Sequence, residues 1–404
     1  MLAIGIVAVV SAACSSGEPA APAATQTQAG QQADATAANT ATGGEEAEPV
    51  VSTGRTGSEK LAPDLKAIDG WINTGAFTLE SLRGQIVLVD FWTYTCINCI
   101  RTLPYLKDWH DKYAGAGLAI VGVHTPEFEF EKDYDNVLSA VMEYGLKYRI
   151  AQDNDYGTWR AFNNRYWPAK YLIDKDGYIR YTHFGEGAYE ETEQKIRELL
   201  AEAGADLSAR AFQALNEREY DPAVYTDDPS MSLTRELYAG YERNYSAAQS
   251  RVAPPYVRNL EYYTTPGADL NYNDPGNYEN HYIYLQGRWH NGPESIIHSR
   301  TTEANEDYIA IKFYGTSANA VMSPPAGGET RVVATLDGMP LTEAQAGLDI
   351  MWDDEGRSYI LIHSSRMYSI VNIDSFSGHE LRLSSNDEGF ELFAYTFGGF
   401  KGGY

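Results

Sequence analysis

The pattern of apolar and polar positions predicts an α/β fold in the first half of the chain. Continuous apolar or β-branched runs, typical of buried strands, occupy 86–92, 118–123, 169–173 and 178–183. Apolar positions at helical spacing predict helices over 96–113, 131–145 and 190–203. An Asp-Lys-Asp-Gly turn joins the last two strands and suits a hairpin. Strands that alternate with helices indicate an α/β domain, which we place at residues 59–205.

The pattern changes in the second half. Short runs rich in Tyr, Ile, Val and Phe alternate with Gly, Pro, Asn and Asp after a polar connector at 206–235. These runs are too short for helices, and 18 of the 30 tyrosines lie beyond residue 205. The pattern is typical of an all-β sandwich with a jelly-roll character, which we place at 236–404.

The N-terminal segment reads as an export signal. An apolar stretch at 2–13 has the length of a signal h-region and ends in Ser11-Ala12-Ala13-Cys14. This sequence resembles a bacterial lipobox, although Ser11 stands where Leu is usual, so we predict that 1–14 is a signal and that Cys14 is lipidated. An ordinary cleaved signal that ends near a cysteine is the alternative. Residues 15–58 lack large apolar side chains and are expected to be a disordered tether of a lipid-anchored, periplasmic or extracytoplasmic protein.

Charge and cysteine content exclude several classes of protein. The formal net charge is −25, which argues against a nucleic-acid partner. Only three cysteines occur, too few for a disulfide-stapled secreted scaffold. Because no second ligand pair accompanies Cys96 and Cys99, we expect no metal and no cofactor beyond a redox-active disulfide.

The Cys96-Ile97-Asn98-Cys99 segment carries the strongest chemical signal. It follows a predicted buried strand and opens a predicted helix. A helix N-terminus offers unpaired N–H groups and a partial positive charge, which stabilise a thiolate. We therefore predict a thiol–disulfide oxidoreductase in which Cys96 attacks and Cys99 resolves the mixed disulfide.

Residues 61–203 resemble the TlpA-like branch of membrane-tethered thioredoxin-fold oxidoreductases. The resemblance implies that Asp90 is a buried acid that relays a proton for the resolving thiol, and that the Trp92 indole shields the site. Pro104 matches the kink proline of the active-site helix. Trp167-Pro168 matches the cis-proline loop, in which the residue before proline pairs with substrate.

Longer segments resemble the exported C-terminal region of DipZ-type cytochrome c biogenesis proteins. They are 93–101, 122–128 and 185–187 in the first domain, and 235–240 and 391–398 in the second. In that family a β-sandwich that resembles a carbohydrate-binding module follows the thioredoxin-like domain. We expect a substrate groove formed by Trp167, Thr95, His124 and Glu127. For His124 and Glu127 the alternatives are a role in tuning the pKa of Cys96 and a loop with satisfied polar groups.

The second domain offers candidate ligand-binding residues. Aromatic rings beside arginine suit stacking on sugars, which makes a glycan a candidate ligand at Arg288, Trp289, Trp352, Arg366 and Tyr368. Core packing is the alternative role for aromatic residues in strands.

Three functions remain open from the sequence. The first is a reductase for exported protein disulfides, with apocytochrome c as a candidate substrate and a separate CcdA/DsbD-type membrane protein as electron donor. The second is a peroxiredoxin-like peroxidase, because Thr93 stands three residues before Cys96, although Val89 replaces the expected proline. The third is a glycan or cell-wall binding protein with an auxiliary redox domain.

Overall fold

The computed structural model describes residues 56–210, 212, 215–249 and 254–403. The predicted signal, Cys14 and nearly all of the predicted tether lie outside the described residues. No helix within the described part of the chain is long and apolar enough to cross a membrane.

The first domain is built on a six-stranded mixed sheet in the order β1-β4-β3-β2-β5-β6. Its strands are β1 (Gly70–Ile72), β2 (Ile86–Trp92), β3 (Leu118–His124), β4 (Arg149–Gln152), β5 (Ala169–Ile173) and β6 (Ile179–Phe184). Its helices are α1 (Ile97–Tyr113), α2 (Tyr134–Glu143), α3 (Gly157–Ala161) and α4 (Tyr189–Glu202). Strands β2, β3 and β4 run parallel, whereas β5 and β6 are antiparallel. The predicted strands and helices are confirmed with shifted ends; β1, β4 and α3 were not predicted because they are short.

The two faces of this sheet bury separate apolar clusters. One face packs against α1, α2 and α4 and carries Leu88, Trp92 and Ile120. The other packs against α3 and the segment before β2, and carries Val89 and Phe91. Because successive residues of a strand point to opposite faces, Asp90 shares the α1 face with Leu88 and Trp92. The sheet thus presents Asp90 beneath the active-site helix.

Over its described residues, the second domain is all-β apart from the α-helix α5 (Tyr241–Gln249) and a short 3-10 helix, Leu260–Tyr263. Its strands are β7 (Leu237–Tyr238), β8 (Asp269–Tyr272), β9 (Ile283–Asn291), β10 (Ile296–His298), β11 (Tyr308–Ser323), β12 (Thr330–Leu336), β13 (Met339–Pro340), β14 (Met351–Trp352), β15 (Ser358–Ile362), β16 (Arg366–Ser385) and β17 (Glu391–Gly398). The main strand order is β14-β15-β12-β16-β11-β17-β10-β9-β8, and β11 also pairs with β9.

The two longest strands of this β-sandwich, β11 and β16, pair with each other in antiparallel fashion. The first half of β11 pairs with β9 and its second half pairs with β17, with a register shift between Gly315 and Ser317 on the β16 side. One buried cluster, which includes Trp289, Phe313 and Tyr368, runs through the domain. The sequence-based fold class, an α/β thioredoxin-like domain followed by an all-β sandwich, is confirmed.

Candidate active site

Cys96 and Cys99 occupy the first turn of α1. Cys96 is the N-cap residue, with extended backbone angles, and its Sγ accepts a hydrogen bond of 3.2 Å from the backbone N–H of Cys99. Cys96 is half-buried, Cys99 is buried, and both are free thiols. A half-buried sulfur at a helix start, with a second sulfur one turn inside, suits attack by the first and resolution by the second.

Trp167, in the loop before β5, packs against the same apolar cluster as Cys96. The Trp167-Pro168 peptide bond is cis, as predicted. The backbone N–H of Gly185 donates to the Pro168 carbonyl at 2.8 Å, so the Gly185-Glu186-Gly187 loop is tied to the proline loop. Trp167 is half-buried against Trp159, with ring centroids 4.2 Å apart, and its indole N–H donates to the Thr125 carbonyl. Trp167 therefore keeps a partly open surface beside the loop.

A buried charged pair lies beneath α1. Asp90 on β2 stands directly opposite Lys170 on β5, and both side chains are buried. Burial raises the pKa of Asp90 to about 7, against the opposing charge of Lys170, and burial lowers the pKa of Lys170. Asp90 Oδ1, Lys170 Nζ, the Tyr148 hydroxyl and the Trp92 indole N–H have no hydrogen-bond partner among the described residues. Four such polar groups on one face are unusual in a folded interior and point to function.

Trp92 occupies a deeper position than the resemblance implied. Its side chain is fully buried in the same cluster as Cys99, and its ring meets His124 edge-on at 5.3 Å. The indole therefore lies in the apolar core that also contains Cys99. Any shielding of the site by Trp92 is therefore from the buried side, because β2 is a central strand whose α1 face is closed by the helix.

Two residues expected in a substrate groove are buried instead. Thr95 is buried and donates to Glu131 at 2.5 Å, and His124 is buried and stacked on Tyr94. Burial lowers the pKa of His124 to about 3, so its ring is neutral. The prediction for Thr95 and His124 is wrong, because Glu131 covers Thr95 and the segment before Cys96 covers His124.

Glu131 is a second buried acid near the cysteine pair. Besides Thr95, its carboxylate accepts from the backbone N–H groups of Glu127 and Phe128. Burial raises the pKa of Glu131 to about 7. Glu131 therefore anchors the segment that leads into Cys96 to the loop after β3.

The second domain packs directly on the active-site end of α1. An interface cluster joins Ile97 and Phe128 of the first domain to Tyr238, Val321, Met367, Phe393 and Ala394 of the second. Polar contacts flank it: the Tyr94 hydroxyl donates to the Ser365 carbonyl, and the Arg101 guanidinium lies 4.9 Å from the Phe400 ring. Ile97, the residue after the attacking cysteine, is thereby buried. The second domain therefore covers part of the surface next to the redox pair.

Glu127 belongs to this interface and not to an open groove, which corrects the sequence expectation. Arg243 of α5 pairs with Glu127 at 2.9 Å, and the Tyr238 hydroxyl lies 3.1 Å from Glu127 and 2.9 Å from Glu236. Burial, and next the charge of Glu127, raise the pKa of Glu236 to about 7. Glu127 thus serves to hold the two domains together.

The reactivity of Cys96 differs from the helix-terminus expectation. Burial raises the pKa of this thiol, and the proximity of Cys99 and Glu236 adds to the shift, against the hydrogen bond from the Cys99 N–H. The packed arrangement therefore favours the thiol over the thiolate.

The candidate ligand-binding residues of the second domain do not form one exposed site. Trp289 and Tyr368 are fully buried in the core, so neither ring can stack on a sugar, and these two predictions are wrong. Arg366 forms an ion pair with Asp349 and lies over the Tyr368 ring at 3.8 Å. Arg288 lies 3.6 Å from Asp269. Trp352 alone among the aromatic candidates is exposed, at 40%. It lies on β14, at the opposite end of the strand order from β8 and β9.

Sequence reasoning missed several residues of the site. Lys170 could have been found, because a lysine inside an apolar strand just after the proline loop is rarely buried without a role. Glu236, Tyr238 and Arg243 could not, because only the packing of the two domains brings them to the interface beside α1. Glu131 carries no signal among the neighbouring acidic residues.

Two family models match the chain. The model described as "AhpC/TSA family" matches residues 59–182, and the one described as "Thioredoxin like C-terminal domain" matches residues 234–398. Together they cover both folded domains.

Individual relatives agree with these matches. Protein DipZ of Mycobacterium tuberculosis is 31% identical over 353 residues, which cover 83% of this chain and 43% of DipZ. The chain thus spans less than half the length of that relative. Thiol-disulfide oxidoreductase YkuV of Bacillus subtilis is 32% identical over 141 residues, 35% of this chain and 94% of YkuV. A solved thioredoxin-like protein in its oxidised form is 31% identical, with a TM-score of 0.34, over 36% of this chain and 97% of that one.

Proposed function

Because the chain belongs to the thioredoxin-like thiol–disulfide oxidoreductases, we propose that it reduces disulfides of exported proteins through the Cys96–Cys99 dithiol, and that it does so from a lipid anchor on the outer side of the membrane. The observation that carries the proposal is the placement of Cys96 Sγ at the N-cap of α1, 3.2 Å from the Cys99 N–H, above the buried Asp90. The sequence resembles DipZ-type cytochrome c biogenesis proteins, and this similarity makes apocytochrome c a candidate substrate.

The reaction needs two proton movements and one electron pair. Cys96 loses its proton and its thiolate attacks a substrate disulfide, so that a mixed disulfide forms and one substrate sulfur leaves as a thiol after protonation. Cys99 then loses its proton to Asp90, attacks Cys96 Sγ, and releases the second substrate thiol. The substrate disulfide is reduced and the Cys96–Cys99 disulfide is formed. Asp90, with a pKa near neutrality, can accept and return a proton in this range.

Substitution of each cysteine tests this assignment. Cys96→Ser should abolish reduction of insulin disulfides, while Cys99→Ser should accumulate mixed disulfides, because the buried thiol can no longer resolve them. Alkylation of the reduced protein followed by peptide mapping should mark Cys96 first. Faster labelling of Cys99 would reverse the two roles.

A reductase in an oxidising compartment must be reduced again after each turnover. We propose that a CcdA/DsbD-type membrane protein donates the electrons at the face formed by Cys96 and Pro168. Acid quenching and alkylation of whole cells test this. A pair that is reduced in growing cells and becomes oxidised when the donor is deleted supports it; a pair held as disulfide with the donor intact contradicts it.

A peroxidase is a second candidate, favoured by the match to the AhpC/TSA family and by Thr93 three residues before Cys96. Thr93 is buried, however, and its Oγ1 lies 3.4 Å from His124 Nε2 rather than free beside Cys96. Consumption of hydrogen peroxide by the reduced protein separates the two functions.

Binding of a glycan or of cell wall by the second domain is a third candidate. The exposed ring of Trp352 supports it, since an aromatic face at a sheet edge can stack on a sugar. Loss of polysaccharide retention in Trp352→Ala, with retention by the unmodified chain, is the test.

A further inference from the structure

The Tyr238 hydroxyl contacts the carboxyl groups of both Glu127 and Glu236, and its single proton cannot satisfy two ionised carboxylates. The Tyr238 hydroxyl lies within hydrogen-bond distance of both carboxyl groups, at 3.1 Å and 2.9 Å. A phenol has one proton and donates one hydrogen bond, so the second contact is favourable only when that carboxyl brings a proton of its own. The cluster therefore holds one proton more than two ionised glutamates would.

The extra proton belongs to Glu236. Glu127 pairs with the Arg243 guanidinium at 2.9 Å, and a nearby cation favours its ionised form. Glu236 is half-buried and forms no ion pair of its own among the described residues. With Glu127 ionised, Glu236 can donate to the Tyr238 oxygen while Tyr238 donates to Glu127.

The position of Glu236 gives this proton a consequence for the redox pair. Glu236 precedes β7, and Tyr238 of β7 packs in the interface cluster with Ile97, the neighbour of Cys96. A negative charge on Glu236 raises the pKa of the Cys96 thiol. An ionised Glu236 opposes the formation of a thiolate there, whereas a neutral Glu236 does not.

We propose that Glu236, contributed by the second domain, is a positioning residue that controls the ionisation of Cys96, so that the β-sandwich is a working part of the redox site. The inference rests on the proposed function only in taking Cys96 as the attacking thiol. The groups that face Glu236 and Cys96 from the surrounding elements are Glu127, Glu186, Tyr238, Arg243 and Cys99. Glu127 and Glu186 each pair with an arginine, whereas Glu236 forms no ion pair among the described residues. Glu236 contacts Tyr238, which packs in the same cluster as Ile97, the residue after Cys96.

The test compares Glu236→Gln with a matched control at the same interface. Glu294→Gln also removes a carboxyl of the second domain that contacts the first, since Glu294 accepts from the Glu129 N–H at 2.9 Å, but Glu294 does not face Cys96. The rate of iodoacetamide labelling of Cys96 is measured by mass spectrometry on the reduced full chain from about pH 5.5 to about pH 9.

The expected signature lies in the pH dependence. The ratio of the Glu236→Gln rate to the unmodified rate should be near one at about pH 5.5, where Glu236 is neutral, and should rise through neutrality to roughly three- to tenfold at about pH 8.5. Glu236→Asp should keep the unmodified profile, and Glu294→Gln should give a flat ratio.

Three outcomes overturn the inference: a ratio that does not change with pH, an equal effect in Glu294→Gln, or a general acceleration that also exposes Cys99 to labelling, which would mean that the domains had separated. If Glu236→Gln does not fold, Tyr238→Phe replaces it. Removing the hydroxyl takes away the acceptor of the Glu236 proton and so favours the ionised carboxylate; the slow labelling should then begin at lower pH, and an unchanged profile overturns the inference. Preferential labelling of Cys99 in the unmodified chain would instead refute the proposed function.

Discussion

Asp90→Asn should gain stability relative to the unmodified chain as the pH rises from acid to neutral. The folded protein holds Asp90 with a pKa of about 7, against an ordinary value of 3.8. Between these values the unfolded chain has lost the proton and the folded chain has kept it. The folded state then binds more protons, so stability falls as the pH rises through this window. Asparagine has no such titration.

The size of the effect follows from the shift. The difference between 7 and 3.8 is 3.2 pKa units, and at 1.36 kcal/mol per unit it corresponds to about 4 kcal/mol. The stability of Asp90→Asn relative to the unmodified chain should therefore increase by about 4 kcal/mol from about pH 4 to about pH 7.5. Loss of its partner destabilises Lys170, but this adds no slope as long as Lys170 stays protonated in that window.

Denaturant unfolding of the reduced full chain at four pH values across this window measures the slope. Asp155→Asn is the matched control, since Asp155 is an exposed aspartate in a turn, and its slope should follow that of the unmodified chain. A parallel pH dependence for Asp90→Asn and the unmodified chain would refute the assignment of a raised pKa to Asp90, and with it the proton-acceptor role.

Three further changes have defined outcomes. Lys170→Met should lengthen the life of the mixed disulfide near neutral pH, because the lysine charge favours the Cys99 thiolate; stopped-flow measurement with an unchanged resolution rate would contradict this. Gly122→Ala should cost about 1–3 kcal/mol in chemical denaturation, because its Cβ would lie 2.8 Å from a neighbouring side chain, whereas Gly75→Ala, with nothing within 4 Å, should cost little; equal costs would show that the strand relaxes. Cys14→Ser should move the protein from the membrane fraction to the soluble one, and retention on membranes would argue against lipidation.

The sequence was a good guide wherever one element determines the outcome. The apolar run at 86–92 became β2, and the cysteine pair became the first turn of α1, because strand burial and helix start are local properties. The cis bond before Pro168 followed from a motif resemblance. Asp90 followed from its place within a buried strand.

The sequence was a poor guide wherever two distant segments meet. Thr95 and His124 were expected to line a substrate groove, yet contacts from other segments of the domain bury them both. Trp289 looked like a sugar platform beside Arg288, but strand alternation directs its ring into the core while the arginine faces outward. Glu236 was placed only in the opening segment of the second domain, and its relation to Cys96 appears only when the two domains pack.

The carboxyl groups around the redox pair share one physical property. Asp90, Glu131 and Glu236 come from a strand, a loop and the second domain, and burial raises the pKa of each to about 7. Each raised pKa lowers the stability of the folded protein at pH values above the ordinary pKa of that carboxyl group. The three buried carboxyl groups therefore destabilise the fold at neutral pH. What the protein gains is a set of groups that change charge near neutrality beside two thiols that must gain and lose protons. Two of these groups lie in the thioredoxin-like domain and one does not, so the redox chemistry of this chain should depend on both of its domains.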